Sequence, residues 1–236
     1  MKSKQRLIFF KRKVSVIIMN TLITSIILGL SNFPFFAVIF TLPILAIQLL
    51  IFKKLNFVRI LMSYGMIAYI SCLLALVFFP LPSPEVAATL HSHYIQLIPF
   101  HFIADIVKES TFVLSSPRTY VTCLFDDAVL QVVFNVLMTV PFGMFLTYYC
   151  GMNKKKVILL TFALTTFIEI GQLTGLFFIY KGSYRFCDVD DLMANTLGGY
   201  HGFQLMTFAE KFVPAIDAFD VKSVGHTGHK NHSLQM

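Results

Sequence analysis

Charge is what this chain has least of. Only 13% of its 236 residues are Asp, Glu, Lys or Arg, and only 12 residues are acidic. A soluble domain carries about 25% charged residues, so this chain lacks the polar surface that a water-facing fold needs. Cysteine is scarce as well, and four residues are too few for a disulfide framework. Cys72 falls inside an apolar run and Cys150 at the end of another. Cys123 and Cys187 fall on one side and are able to pair, although packing as thiols is the favoured reading. No HExxH zinc motif, nucleophile motif, internal repeat or low-complexity segment occurs. Nothing in the sequence calls for a cofactor.

Apolar sequence fills the space that charge leaves. Hydrophobic residues make up 56% of the chain, 26 of them Phe, and the mean hydropathy is +0.74. A helix needs about 20 mostly apolar residues to cross a bilayer. Such runs lie at 14–31, 33–52, 57–79, 128–150, 156–180 and 191–209, the last diluted by Asn195, Thr196, His201 and glycines. The fold expected is therefore an all-α, polytopic transmembrane bundle of about six spans. Ser31 and Asn32 are read as the turn of an N-terminal anchor hairpin over 1–56, an uncleaved anchor because Leu28 to Phe33 offers no small-x-small cleavage site. The main membrane domain is placed at 57–209, and a polar, disordered cytoplasmic tail at 210–236. A segment of roughly 45 residues follows span three and is too long for a structureless loop. Within it, Ile98, Phe102, Ile103, Ile106 and Val107 recur near helical spacing, predicting an external amphipathic helix on the outer leaflet.

Lys and Arg accumulate in short cytoplasmic loops. With both termini inside, 15 of the 19 basic residues face the cytoplasm, and only Lys108, Arg118, Lys181 and Arg185 fall elsewhere. This predicts a multi-pass protein of the cell membrane. The net charge of +7 is accounted for by anionic lipid at the inner surface, with no nucleic-acid partner required.

Polar side chains at membrane depth are costly and are functional candidates by default. Asp127, Gln131 and Asn135 are spaced four apart and form a stripe on span four. Glu169 and Gln172 share a face of span five with Thr165 and Thr166, and Asp191, Asn195, Gly198 and Gly202 share one on span six. At about 1.5 Å per residue, Asn135 lies about 10 to 13 Å deep, Glu169 about 16 Å, Gln172 about 12 Å and Asn195 about 6 to 8 Å. Arg185, Asp188 and Asp190 stand above them, so an outward-facing polar pocket with a charged mouth is expected. Each element also has a plainer reading. The acids at 188, 190 and 191 suit the start of a helix, where they cap free N–H groups. The Gly198/Gly202 pair suits close helix packing, and Asn135 and Gln172 suit interhelical hydrogen bonding. Glu169 must be protonated or paired, with Arg185 as one partner considered. His91, His93 and His101 form a weak metal candidate, and His226, His229 and His232 a weaker one in the tail.

The stretch Arg185-Phe-Cys-Asp-Val-Asp-Asp-Leu-Met-Ala-Asn195-Thr-Leu-Gly-Gly-Tyr-His-Gly202 resembles the signature of VanZ-like membrane proteins. Asn135 followed by Pro141-Phe-Gly143, Glu169 with Gln172, and Leu97-Ile-Pro-Phe100 are also similar to that pattern. The resemblance spans about residues 60 to 209. It implies an envelope protein of Gram-positive bacteria connected with low-level resistance to the glycopeptide teicoplanin, and it carries no agreed catalytic role. Two functions are compatible with it. One is a pocket of Gln131, Asn135, Glu169, Gln172, Arg185, Asp188, Asp190, Asp191 and Asn195 that binds an amphiphile, such as a lipid-linked wall precursor or a lipoglycopeptide. The other is an intramembrane enzyme on a lipid-linked substrate, with Glu169 as general acid or base, Asp191 as a second candidate and the outer acids holding a divalent cation. The missing nucleophile and zinc motifs favour binding. A transporter is the weakest option, because inverted repeats are absent.

Overall fold

The computed structural model describes residues 2–109, 115–116, 119, 123 and 126–220. Five long helices dominate it: α1 (Lys2–Ile47), α2 (Phe57–Phe78), α5 (Asp127–Tyr148), α6 (Lys154–Leu173) and α7 (Val189–Ala209), with short helices α3 (Pro84–Thr89) and α4 (His101–Glu109) between α2 and α5. Four are long and apolar enough to cross a membrane, over Leu22–Phe52, Phe57–Phe78, Asp127–Tyr148 and Lys154–Leu173. Phe35, Val38 and Leu42 are among the large apolar side chains exposed on α1, as a lipid-facing surface requires.

The N-terminal hairpin is not formed. The chain runs through Ser31 and Asn32 as helix, and both side chains bond back to the Leu28 carbonyl at 2.9 and 2.8 Å, satisfying themselves within the helix. α1 instead continues to a π-helical turn, Gln48–Phe52, and stops where Lys53 turns left-handed. Its 46 residues rise about 70 Å, so the basic N-terminal end lies far from the Lys53–Lys54 turn, not beside it. Span five is also shorter than expected. It ends at Leu173 because Gly175 adopts φ +63, pressed so close to the Gly182 and Tyr180 carbonyls that a side chain would not fit. Glu169 and Gln172 therefore lie only about 6 and 1.5 Å from the helix end. α7 matches its expected length but not the apolarity of a span, because Asp190, Asp191, Asn195 and Gln204 interrupt it.

Helices α5 and α7 pack most closely. A Cβ on Gly198 would fall on the Val136 carbonyl oxygen, and one on Gly202 on that of Val140, so the glycine pair serves helix contact. A core of Leu73, Val77, Phe78 and Ile168, flanked by Tyr69, Met138 and Leu164, joins α2 to α5 and α6. At one end of the bundle, Asn56 caps α2 through the Arg59 N–H at 3.0 Å and donates to the Ile216 carbonyl and Asp220 Oδ1, both at 2.8 Å. The first residues of the expected tail, 210–220, thus fold back on the bundle through a 3-10 turn at Ile216–Phe219; the later histidines lie outside the described residues. At the other end, β1 (Ile95–Gln96) pairs in parallel with β2 (Cys187–Asp188).

Candidate functional site

The α5 stripe meets the start of α7. Asn135 Nδ2 donates to Asp191 Oδ1, and Gln131 Nε2, one turn earlier, reaches the same oxygen at 3.4 Å. One turn further along α7, Asn195 Nδ2 donates to Thr165 Oγ1 at 3.1 Å, and its carbonyl accepts from Thr139 Oγ1 at 2.5 Å. The Asn195 Oδ1 is buried without a partner. Gln131 and Asn135 of α5 thereby meet Asp191 of α7, and Asn195 of α7 joins Thr139 of α5 to Thr165 of α6.

The remaining candidates have other partners. Asp188 caps α7 by accepting from the Asp190 N–H at 2.8 Å. Asp190, only 5% exposed, accepts from the N–H groups of Phe100 and Phe102 at 2.6 and 2.8 Å. It therefore clamps the first turn of α4, and it explains why the Leu97-Ile-Pro-Phe100 segment turns sharply, with Phe100 at φ +64. Glu169 accepts from the Asp188 N–H at 3.0 Å and lies close to the Cys187 thiol, with no bond to Arg185. Cys187 is thus a thiol and not half of a disulfide with Cys123. Its burial, then the Glu169 charge, push the thiol up to about 11. Burial likewise raises the Asp188 carboxyl, offset in part by the Asp190 N–H, and lowers the Arg185 guanidinium.

Arg185 and Gln172 turn away from the cluster. Gln172 donates to the Val77 carbonyl at 3.1 Å, Tyr184 to that of Phe78 at 3.0 Å, and Arg185 to that of Phe79 at 2.6 Å. Three remote side chains thus satisfy three successive carbonyls at the C-terminal end of α2, where a helix leaves its acceptors open. Arg185 also places its charge at the negative end of the helix dipole.

His93 bonds the Leu173 carbonyl at 2.7 Å and His101 pairs with Asp105 at 2.9 Å, so the outer histidines do not converge. Among the described residues, no three His, Cys, Asp or Glu side chains gather to hold a metal ion.

Two cavities adjoin at this end. A cleft of about 30 Å³, room for a water-sized group, is lined by Asp105, Gln131, Asp188 and Asp191 among others. Beside it lies a groove of about 530 Å³, lined by Phe100, Val136, Phe162, Leu197 and Tyr200 among others. Phe102, Val132 and Asp190 border both. The sequence reading missed this groove and the His101–Asp105 pair. The i, i+4 spacing of that pair was the available signal.

An α-helical membrane protein with a polar cluster between three packed helices is the class that this arrangement defines. The chain belongs to the VanZ/LLP1 family, whose model matches residues 66–210. No curated protein and no solved structure matches it.

Proposed function

We propose that this multi-pass VanZ-like protein binds an amphiphile at the outer face of the cell membrane and so contributes to tolerance of teicoplanin-type glycopeptides. The observation that carries this reading is the 530 Å³ apolar groove adjoining, across Phe102, Val132 and Asp190, the small cleft lined by Gln131 and Asp191. The groove accepts a hydrocarbon chain, and the cleft admits one small polar group of the head group, as in a lipid-linked wall precursor or a lipoglycopeptide. The outer face is assigned from charge. The opposite end carries Lys53, Lys54, Arg59, Lys154, Lys155, Lys156 and Lys211 in and beside its short loops, which suits the cytoplasm, while α1 takes Lys2, Lys4, Arg6, Lys11, Arg12 and Lys13 away from that end. The alternative, an enzyme with Glu169 as acid or base, has less support, because Glu169 is 6% exposed and lines neither cavity.

The chain has no Trp, so a single introduced one reports on the groove alone. Titrating Leu197→Trp with a lipoglycopeptide should shift its emission to the blue, and Ala194→Phe, which fills the groove, should abolish both the shift and the tolerance. Glu169→Gln should leave tolerance intact. Tolerance that survives Ala194→Phe but is lost in Glu169→Gln would sink the binding reading in favour of catalysis.

A further inference from the structure

Arg59 stands three residues from the start of α2, at the end of the bundle opposite the polar cluster. It is 4% exposed. Its Nη2 pairs with Asp217 Oδ1, and the guanidinium lies over the Phe52 ring at 4.1 Å and less closely over Tyr149 at 5.8 Å. A purely structural role explains these contacts, since they tie α2 to the 210–220 segment and to the end of α1. It does not explain the rest of the group. A guanidinium carries five N–H donors, and Asp217 is the one side-chain acceptor it meets among the described residues. The Nε is shielded from solvent and has no partner. Burying a charged donor without an acceptor is costly.

Arg59 also lines a cavity of about 600 Å³, with Phe52, Tyr148, Cys150, Glu210 and Asp217 among its walls. The surroundings are basic. Lys53, Lys54, Lys154, Lys155, Lys156 and Lys211 stand at this end, against Glu210, Asp217 and Asp220. Lys54 already pairs with Asp220 at 3.4 Å, and the Asp217 carboxylate is 74% exposed and solvated.

We infer that the Arg59 cavity is a second binding site, for a phosphate group delivered at the basic face. The guanidinium fork offers a phosphate its unpaired donors, the lysine rim attracts the charge, and Glu210 accepts from a hydroxyl or ammonium beside the phosphate. The cavity shares no lining residue with the groove at the other end of the bundle, so the site does not depend on the amphiphile pocket.

The test uses the full chain purified in detergent and native mass spectrometry. It is titrated with inorganic phosphate and, separately, with phosphatidic acid; phosphatidylcholine, whose phosphate is capped by choline, is the control. Arg59→Lys keeps the charge and a partner for Asp217 but loses the fork, and should weaken binding about ten-fold. Cys150→Phe fills the cavity, leaves Arg59 in place and should remove binding. Binding of phosphatidic acid alone makes the ligand a lipid head group; binding of inorganic phosphate as well makes it phosphate from either source. Failure of the native chain to bind either, or equal affinity in the native chain and Arg59→Lys, overturns the inference.

Discussion

Replacing Asp190 by Ala removes the clamp that holds the start of α4. Two backbone N–H groups, of Phe100 and Phe102, then lose a carboxylate acceptor that binds them at 2.6 and 2.8 Å. A hydrogen bond to a charged group contributes about 1.5 to 3 kcal/mol, so the pair accounts for about 3 to 6 kcal/mol. The nine residues of α4 cannot offset that loss, because a helix so short is not stable by itself in water. The 95–109 segment should therefore open while the α5–α7 bundle stays folded. At about 1.4 kcal/mol per factor of ten, hydrogen-exchange protection in that segment should fall about a hundred-fold or more. Asp190→Asn retains one acceptor oxygen and should lie between. Hydrogen–deuterium exchange on the protein in nanodiscs reads this directly, with peptides from α5 and α7 as internal reference. Unchanged exchange across 97–105 in Asp190→Ala would refute the clamp.

Two smaller perturbations probe the packing and the electrostatics. Gly198→Ala sets a methyl group against the Val136 carbonyl oxygen, and should cost about 1 to 3 kcal/mol in detergent unfolding; an unchanged midpoint would mean that α5 and α7 are not so close. The raised Cys187 thiol makes its maleimide labelling climb with pH until about 11, in a variant whose other cysteines are serine. The thiolate is the reactive form, so labelling at neutral pH is slow. Removing the adjacent charge with Glu169→Gln should move the profile down in pH, and a plateau already at about 8.5, the ordinary thiol value, would contradict the burial described.

The sequence made the membrane class, the α5 stripe and its meeting with α7 legible, because apolar length and i, i+4 spacing are local properties. Asn135 and Asp191 needed only helix geometry and adjacency to be paired. The continuous α1 was not legible, because Ser31-Asn32 reads as a polar turn when its side chains are assumed to face water. In a helix they bond the Leu28 carbonyl instead, and the apparent break disappears. The early end of α6 was hidden for a different reason. Gly175 turns left-handed against Gly182 and Tyr180, a contact that no local pattern announces. Arg59 entered only as one of the 15 basic residues counted toward the cytoplasm, although an arginine inside the first turn of an apolar helix is costly to bury.

The nine polar residues that the sequence placed in one pocket divide by what their hydrogen bonds already satisfy. Asp188 and Asp190 hold backbone N–H groups, and Gln172 and Arg185 hold backbone carbonyls. Glu169 is engaged by the Asp188 N–H. A ligand that took any of these groups would have to break a bond that fixes a helix end, at a cost comparable to what it gained. Gln131 is under no such constraint, since its one contact to Asp191 is long, at 3.4 Å, and it borders the cleft beside the groove. Asp191 lines the same cleft, and the Gln131 and Asn135 contacts both go to its Oδ1. On the proposed binding reading, the side chains left to meet a ligand are therefore Gln131 and Asp191, with Asn135 fixing the Asp191 carboxylate. The residues that resemble the family signature most closely act mainly as its frame.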